Sequence, residues 1–201
     1  MFDFITGWID QGGLLAVGVL MILENVFPPI PSELIVPLAG FKAATGSFSM
    51  VGLVIVATLG SLLGTLIWYG LARAFGRERF LRFIDRYGVW LTLDREETLR
   101  AMDWFNRYGP AAVFFGRLVP TVRTLISVPA GLSEMPFGSF LLYTAAGSLV
   151  WIALLAGAGY LLQENYEQVE HWLNPFTTLV VVAVVAIYVY RVIRGLMKRR
   201  A

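Results

Sequence analysis

ENVFPPIPSELIVPLAG (residues 24–40) sets two carboxylates, Glu24 and Glu33, around three prolines inside an otherwise apolar stretch. FFGRLVPTVRTLISVPAG (114–131) does the same with two guanidiniums, Arg117 and Arg123, and two prolines, Pro120 and Pro129. A charge near the bilayer centre costs about 2.5–3.5 kcal/mol on insertion scales, so such groups line a polar cavity rather than face lipid. Pro28, Pro29 and Pro31 each remove a backbone donor and forbid an unbroken helix, as Pro120 and Pro129 do in the second stretch. Broken backbone at membrane depth is stable only when buried in protein or lining a wet cavity. Both stretches therefore read as re-entrant helical hairpins, over residues 14–42 and 110–132, that enter the bilayer and leave by the same face. A kinked through-going span is the alternative.

Working outward, the 201 residues are 57% hydrophobic and 15% charged, too little polar surface for a water-soluble globule, so the class is an all-α integral membrane protein. Residues 51–72 carry no charge and give a transmembrane helix over 50–73; residues 137–162 give a second. The uncharged run 176–190 extends to the anchors Arg191 and Arg194, giving a third over 175–194 ahead of a basic tail, 195–201. Residues 76–109 are the one sizeable polar region. They read as an amphipathic connector at the headgroups, with Asp94 and Glu97 as a capping pair and Leu99, Met102 and Phe105 on one face. Residues 2–9 read as a short anchor at the outer interface. No Lys or Arg precedes Lys42, and Asp3 and Asp10 stand where a signal peptide would be basic, so this segment is expected to stay in the mature protein.

Basic residues fix the topology. Arg73, Arg77, Arg79, Arg82, Arg86, Arg95, Arg100 and Arg107 crowd the connector, and Arg191, Arg194, Lys198, Arg199 and Arg200 crowd the tail, so connector and C-terminus are cytoplasmic. The loop QENYEQVEHWLN (163–174) has three glutamates and no Lys or Arg, as suits the outer side. The first hairpin then opens outward and the second inward, which is an inverted repeat of hairpin plus span. Weak echoes accompany it: VPLAGF (36–41) leads to GSF (46–48), VPAGL (128–132) leads to GSF (138–140), and Gly60 and Gly147 each begin Gly-Ser-Leu. Gly40 and Gly131, with the prolines, read as hairpin-forming. The spacing of Gly60 and Gly64 suits close helix packing within the protein or between copies, so a homo-oligomer stays open.

If the hairpins meet near the midplane, two carboxylates and two guanidiniums share one site. Arginine holds phosphate through planar, bidentate contacts, so Arg117 and Arg123 point to an anionic head group, with Ser32, Thr121 and Thr124 as further phosphate contacts. Glu24 and Glu33 would change the local charge by taking a proton, which makes them proton-coupling residues. Simple ion pairing that holds the hairpins together is the alternative. With no cysteine, one histidine (His171) in the acidic loop and no metal-ligand spacing, neither enzyme, metal nor cofactor is expected. The net charge of +2 sits beside apolar runs, as topology signals do, so nucleic acid is not an expected partner.

The two quoted stretches, and the chain from about residue 24 to 162, resemble the DedA family of bacterial inner-membrane proteins, related to eukaryotic VTT-domain lipid scramblases. The resemblance implies opposed re-entrant hairpins, and a flippase returning undecaprenyl phosphate from outer to inner leaflet for envelope synthesis. It also implies that the essential acids map to Glu24 and Glu33 and the essential arginines to Arg117 and Arg123. Pro31-Ser32-Glu33 stands where some members carry Pro-Gly-Asp. That keeps open phosphatidylethanolamine as the lipid, a proton-coupled exporter of small cations or drugs, and a non-transporting assembly factor.

Overall fold

A computed structural model of the chain describes residues 2–26, 32–91, 95–120 and 122–161. Seven helices follow one another there: α1 (Phe2–Val26), α2 (Ser32–Ala44), α3 (Met50–Phe75), α4 (Arg77–Leu91), α5 (Arg95–Arg117), α6 (Ser127–Leu132) and α7 (Phe137–Leu161). Pro28, Pro29, Pro31, Asp94, Thr121, the acidic loop, the span expected at 175–194 and the basic tail lie outside the described residues.

Among the described residues, three helical stretches are long and apolar enough to cross a bilayer: Ile5–Val26, Met50–Phe75 and Phe137–Leu161. The chain is an all-helical, multi-pass membrane protein. The second and third of these stretches are the spans expected at 50–73 and 137–162. Ser49 starts α3 by accepting the Gly52 N–H on its hydroxyl at 3.4 Å, and Gly76, at φ 79°, ends it in backbone that a side chain would resist. The first stretch is two helices that meet at Gly13. Residues 2–9 lie in the one before it, where Ile5 and Ile9, one turn apart, are each 1% exposed among Leu34, Ile35 and Leu38 of α2. Gly13, at φ 54° and ψ −137°, kinks α1 immediately before residue 14. An ion pair between Lys42 and Asp10 ties the far end of α2 back to α1.

The polar connector is two helices, and α5 continues through Pro110 to Arg117, so connector and second charged stretch share one rod. Part of its apolar face lies on protein: Met102 packs with Ala72 and Leu132, and Phe105 with Tyr69, Val113 and Ile126, while Trp104, Tyr108 and Phe115 stay exposed.

Glycines set the helix distances. Gly60 abuts the Gly18 carbonyl, and a Cβ at Gly64 would stand 2.6 Å from that of Asn25, so the Gly60–Gly64 spacing serves α1–α3 packing within the protein. Gly40 of α2 meets the Ala156 backbone of α7, and Gly159 of α7 meets the Pro37 carbonyl. Gly131 of α6 meets the Tyr69 carbonyl of α3. Each short helix after a charged stretch thus docks on the long helix of the other half. Gly40→Val is expected to drive a branched side chain into helix backbone, costing at least the 1–3 kcal/mol or so of ordinary overpacking. Gly70→Ala, with nothing within 4 Å of the new Cβ, should stay within about 0.5 kcal/mol of wild type. Thermal unfolding in micelles separates the two.

Candidate functional site

Glu24 and Asn25 occupy the last turn of α1, where helix carbonyls lack intrahelical donors. The indole N–H of Trp68 on α3 satisfies one of them, donating to the Asn25 carbonyl at 3.0 Å. A carboxylate at a helix C-terminus is disfavoured by the macrodipole, so Glu24, 3% exposed, needs a counter-charge. Arg123, 5% exposed in the turn between α5 and α6, supplies it in a direct ion pair through Nη2.

Asn25 links this pair to the rest. Its Nδ2 has three acceptors in reach: Glu24 Oε2 at 2.7 Å, the Met21 carbonyl at 2.9 Å and Ser61 Oγ at 3.3 Å. Its Oδ1 accepts from Arg117 Nη1 at 3.4 Å, and Arg117 Nη2 donates to Ser127 Oγ at 2.8 Å. An unbroken polar chain therefore runs Arg123, Glu24, Asn25, Arg117, Ser127, from the turn after α5 through the end of α1 to the start of α6.

The two arginines differ. Arg123 has a carboxylate, whereas Arg117, fully buried at the last residue of α5, meets only neutral acceptors among the described residues, and its Nε is unpartnered there. The C-terminal end of α5 offsets part of the cost of that cation. Glu33 is half-buried in the first turn of α2, where a carboxylate suits the helix dipole, and accepts from the Ser32 hydroxyl at 3.5 Å. Three of the four expected charges, Glu24, Arg117 and Arg123, are thus joined directly or through Asn25. Thr124 is buried in the Arg123 turn, Pro120 is exposed in that turn, and Pro129 lies in the first turn of α6.

Sequence reasoning missed Asn25, Ser61, Trp68 and Ser127. A period was available: Thr58, Ser61 and Thr65 recur at helical spacing on α3, and Thr144, Ser148 and Trp151 on α7. On α7, Gly147 lets α5 close in at Phe114 and Arg117, and the Trp151 ring lies 6.0 Å from the Arg123 guanidinium carbon. Thr144 Oγ1 and Trp151 Nε1 are buried and unpartnered among the described residues. Those residues contain no group of three or more His, Cys, Asp or Glu placed to hold a metal ion.

Residues 30–161 match the family model of the VTT domain, which takes in Glu33, Arg117 and Arg123. The chain belongs to the VTT-domain family. The DedA resemblance seen in the sequence is borne out by the relatives of this VTT-domain protein. It is 36% identical over 200 residues to Undecaprenyl phosphate transporter A of Staphylococcus aureus, covering 100% of this chain and 98% of that one. A protein of the same name from Bacillus subtilis is 30% identical over 188 residues, 93% of this chain and 91% of the relative. An alkaline phosphatase-like protein of Lactococcus lactis subsp. cremoris is 37% identical over 200 residues, 99% of this chain and 94% of the relative. No solved structure matches the VTT-domain chain. Its site, a buried cation beside an ion pair with donors unspent, is chemically suited to hold an oxyanion.

Proposed function

We propose that the protein is a lipid-phosphate flippase that carries undecaprenyl phosphate from the outer to the inner leaflet, its head group held at Arg117 while the polyprenyl tail stays in lipid. The observation that carries this reading is the buried Arg117, with no carboxylate bonded to it and its Nε–H unspent among the described residues. The unspent groups on Arg117 and Trp151 are donors, which suit an anion better than a cation. The names of the Staphylococcus and Bacillus relatives support the same substrate class. Moving the head group is the costly part of the passage, and a buried cation lowers that cost. In this reading Ser32, Thr121 and Thr124 add phosphate contacts, Glu24 and Glu33 exchange protons, and no bond to phosphorus is broken.

The re-entrant reading has one support from rod length, in the first charged stretch, and one from packing, in both. Beyond the Gly13 kink, residues 14–26 make a rod of about 20 Å, as do the 13 residues of α2, against a hydrocarbon core of about 30 Å. The exchanged docking, α2 on α7 and α6 on α3, is the pattern an inverted repeat produces. Arg-rich α4 and α5 then lie on the cytoplasmic side of the bacterial inner membrane.

Proteoliposomes loaded with labelled undecaprenyl phosphate provide the test. Wild type should move it faster than protein-free vesicles, an imposed proton gradient should change the rate, and Glu33→Gln should lose that gradient dependence. Phosphatidylethanolamine and undecaprenol in parallel vesicles show whether phosphate or amine is recognised. Transport of a soluble cation without movement of any lipid phosphate would overturn the proposal, as would release of inorganic phosphate in step with the movement.

A further inference from the structure

Trp151 is out of place for a membrane tryptophan. Indoles gather at the two interfaces, where the ring is in lipid and the N–H is wet, yet Trp151 stands close to the midpoint of α7. The other indole at the site, part-buried, is spent, since Trp68 donates to the Asn25 carbonyl. Trp151 Nε1 is buried with no acceptor among the described residues, and so is Arg117 Nε. Both belong to one place. Gly147, one turn before Trp151 on α7, brings that helix against the Arg117 stem, and Arg123 lies over the Trp151 ring. A guanidinium over the ring face does not compete for the indole N–H, which lies in the ring plane. A buried donor with no acceptor is costly, and an entering anion removes that cost.

Resting on the lipid-phosphate reading, we propose that Trp151 is a further ligand-binding residue, its indole N–H donating to a phosphate oxygen of the head group held by Arg117. The contact selects a phosphate monoester over the corresponding alcohol, because the alcohol brings no charged acceptor. It places the long helix α7 alongside the two charged stretches as a wall of the site.

The test uses a soluble prenyl phosphate and the matching prenyl alcohol as competitors of lipid-phosphate movement in proteoliposomes. Trp151→Phe keeps the ring and loses the N–H. It should raise the half-inhibiting concentration of the prenyl phosphate roughly tenfold, leave that of the alcohol unchanged and hold the thermal midpoint. Trp151→His, which restores a ring N–H, should recover part of the loss, and the midpoint shift it gains from prenyl phosphate gives a readout if Trp151→Phe folds poorly. Equal inhibition of wild type, Trp151→Phe and Trp151→His by prenyl phosphate would overturn the role of Trp151 and leave the flippase reading standing. A wild type that moves no lipid phosphate even without competitor would instead overturn the flippase reading itself, and a wild type that moves it but ignores prenyl phosphate would overturn the role of Trp151 alone.

Discussion

Arg117→Met should abolish lipid-phosphate movement while leaving the thermal midpoint at or above that of wild type. The two effects part company because of what surrounds the side chain. A buried guanidinium bonded, among the described residues, only to Asn25 Oδ1 and Ser127 Oγ carries a desolvation cost that no direct counter-ion there repays, so an apolar side chain of similar length relieves the resting protein. Transport loses the groups that grip the anion. Two charge-assisted hydrogen bonds, each worth about 1.5–3 kcal/mol, correspond to a loss of roughly a hundredfold or more. Arg117→Lys should fall between, keeping a charge but not the flat fork that fits a phosphate. Measuring flux and unfolding on one preparation decides the matter: a variant that loses both together would make Arg117 a structural residue.

Arg123 should behave in the opposite way. Arg123→Met leaves the Glu24 carboxylate buried without its guanidinium, and breaking a buried pair from one side costs about 3–5 kcal/mol. Replacing both partners, as in Glu24→Leu with Arg123→Met, should restore most of the stability and none of the transport. The double-mutant cycle in unfolding gives the coupling between the two charges directly. Single and double variants of equal stability would mean that the pair is not held as described.

How far these residues could be read beforehand depended on whether their chemistry contradicts the bilayer. Glu24, Glu33, Arg117 and Arg123 are expensive in hydrocarbon, so their positions in the sequence already pointed to one site, and the structure joins Glu24, Arg117 and Arg123 through Asn25. Asn25 carries no charge and stands next to a residue that does, so nothing in the sequence marks it as the link between Glu24 and Arg117. Trp151 is apolar enough to pass for an ordinary lipid-facing side chain until its depth along α7 is known. The spans at α3 and α7 were legible from uninterrupted apolar length. The beginning of the chain was not, because Asp3, Asp10 and paired glycines dilute the apolar pattern of α1, while the burial of Ile5 and Ile9 comes from α2. Gly40 and Gly131 looked like hairpin formers, yet what they permit is the approach of a helix distant in sequence, which a local reading cannot see.

That approach imposes an order on biosynthesis. The surface of α2 around Gly40 is complete when the ribosome has made less than a quarter of the chain, but its partner around Ala156 emerges roughly a hundred residues later, on the order of ten seconds at ordinary elongation rates. During that interval α2 has a close-packing groove and nothing in it. The close packing of the N-terminal half at Gly40 is therefore completed only once α7 has been made. A chain truncated before α7 should be cleared by quality control rather than survive as a smaller working unit.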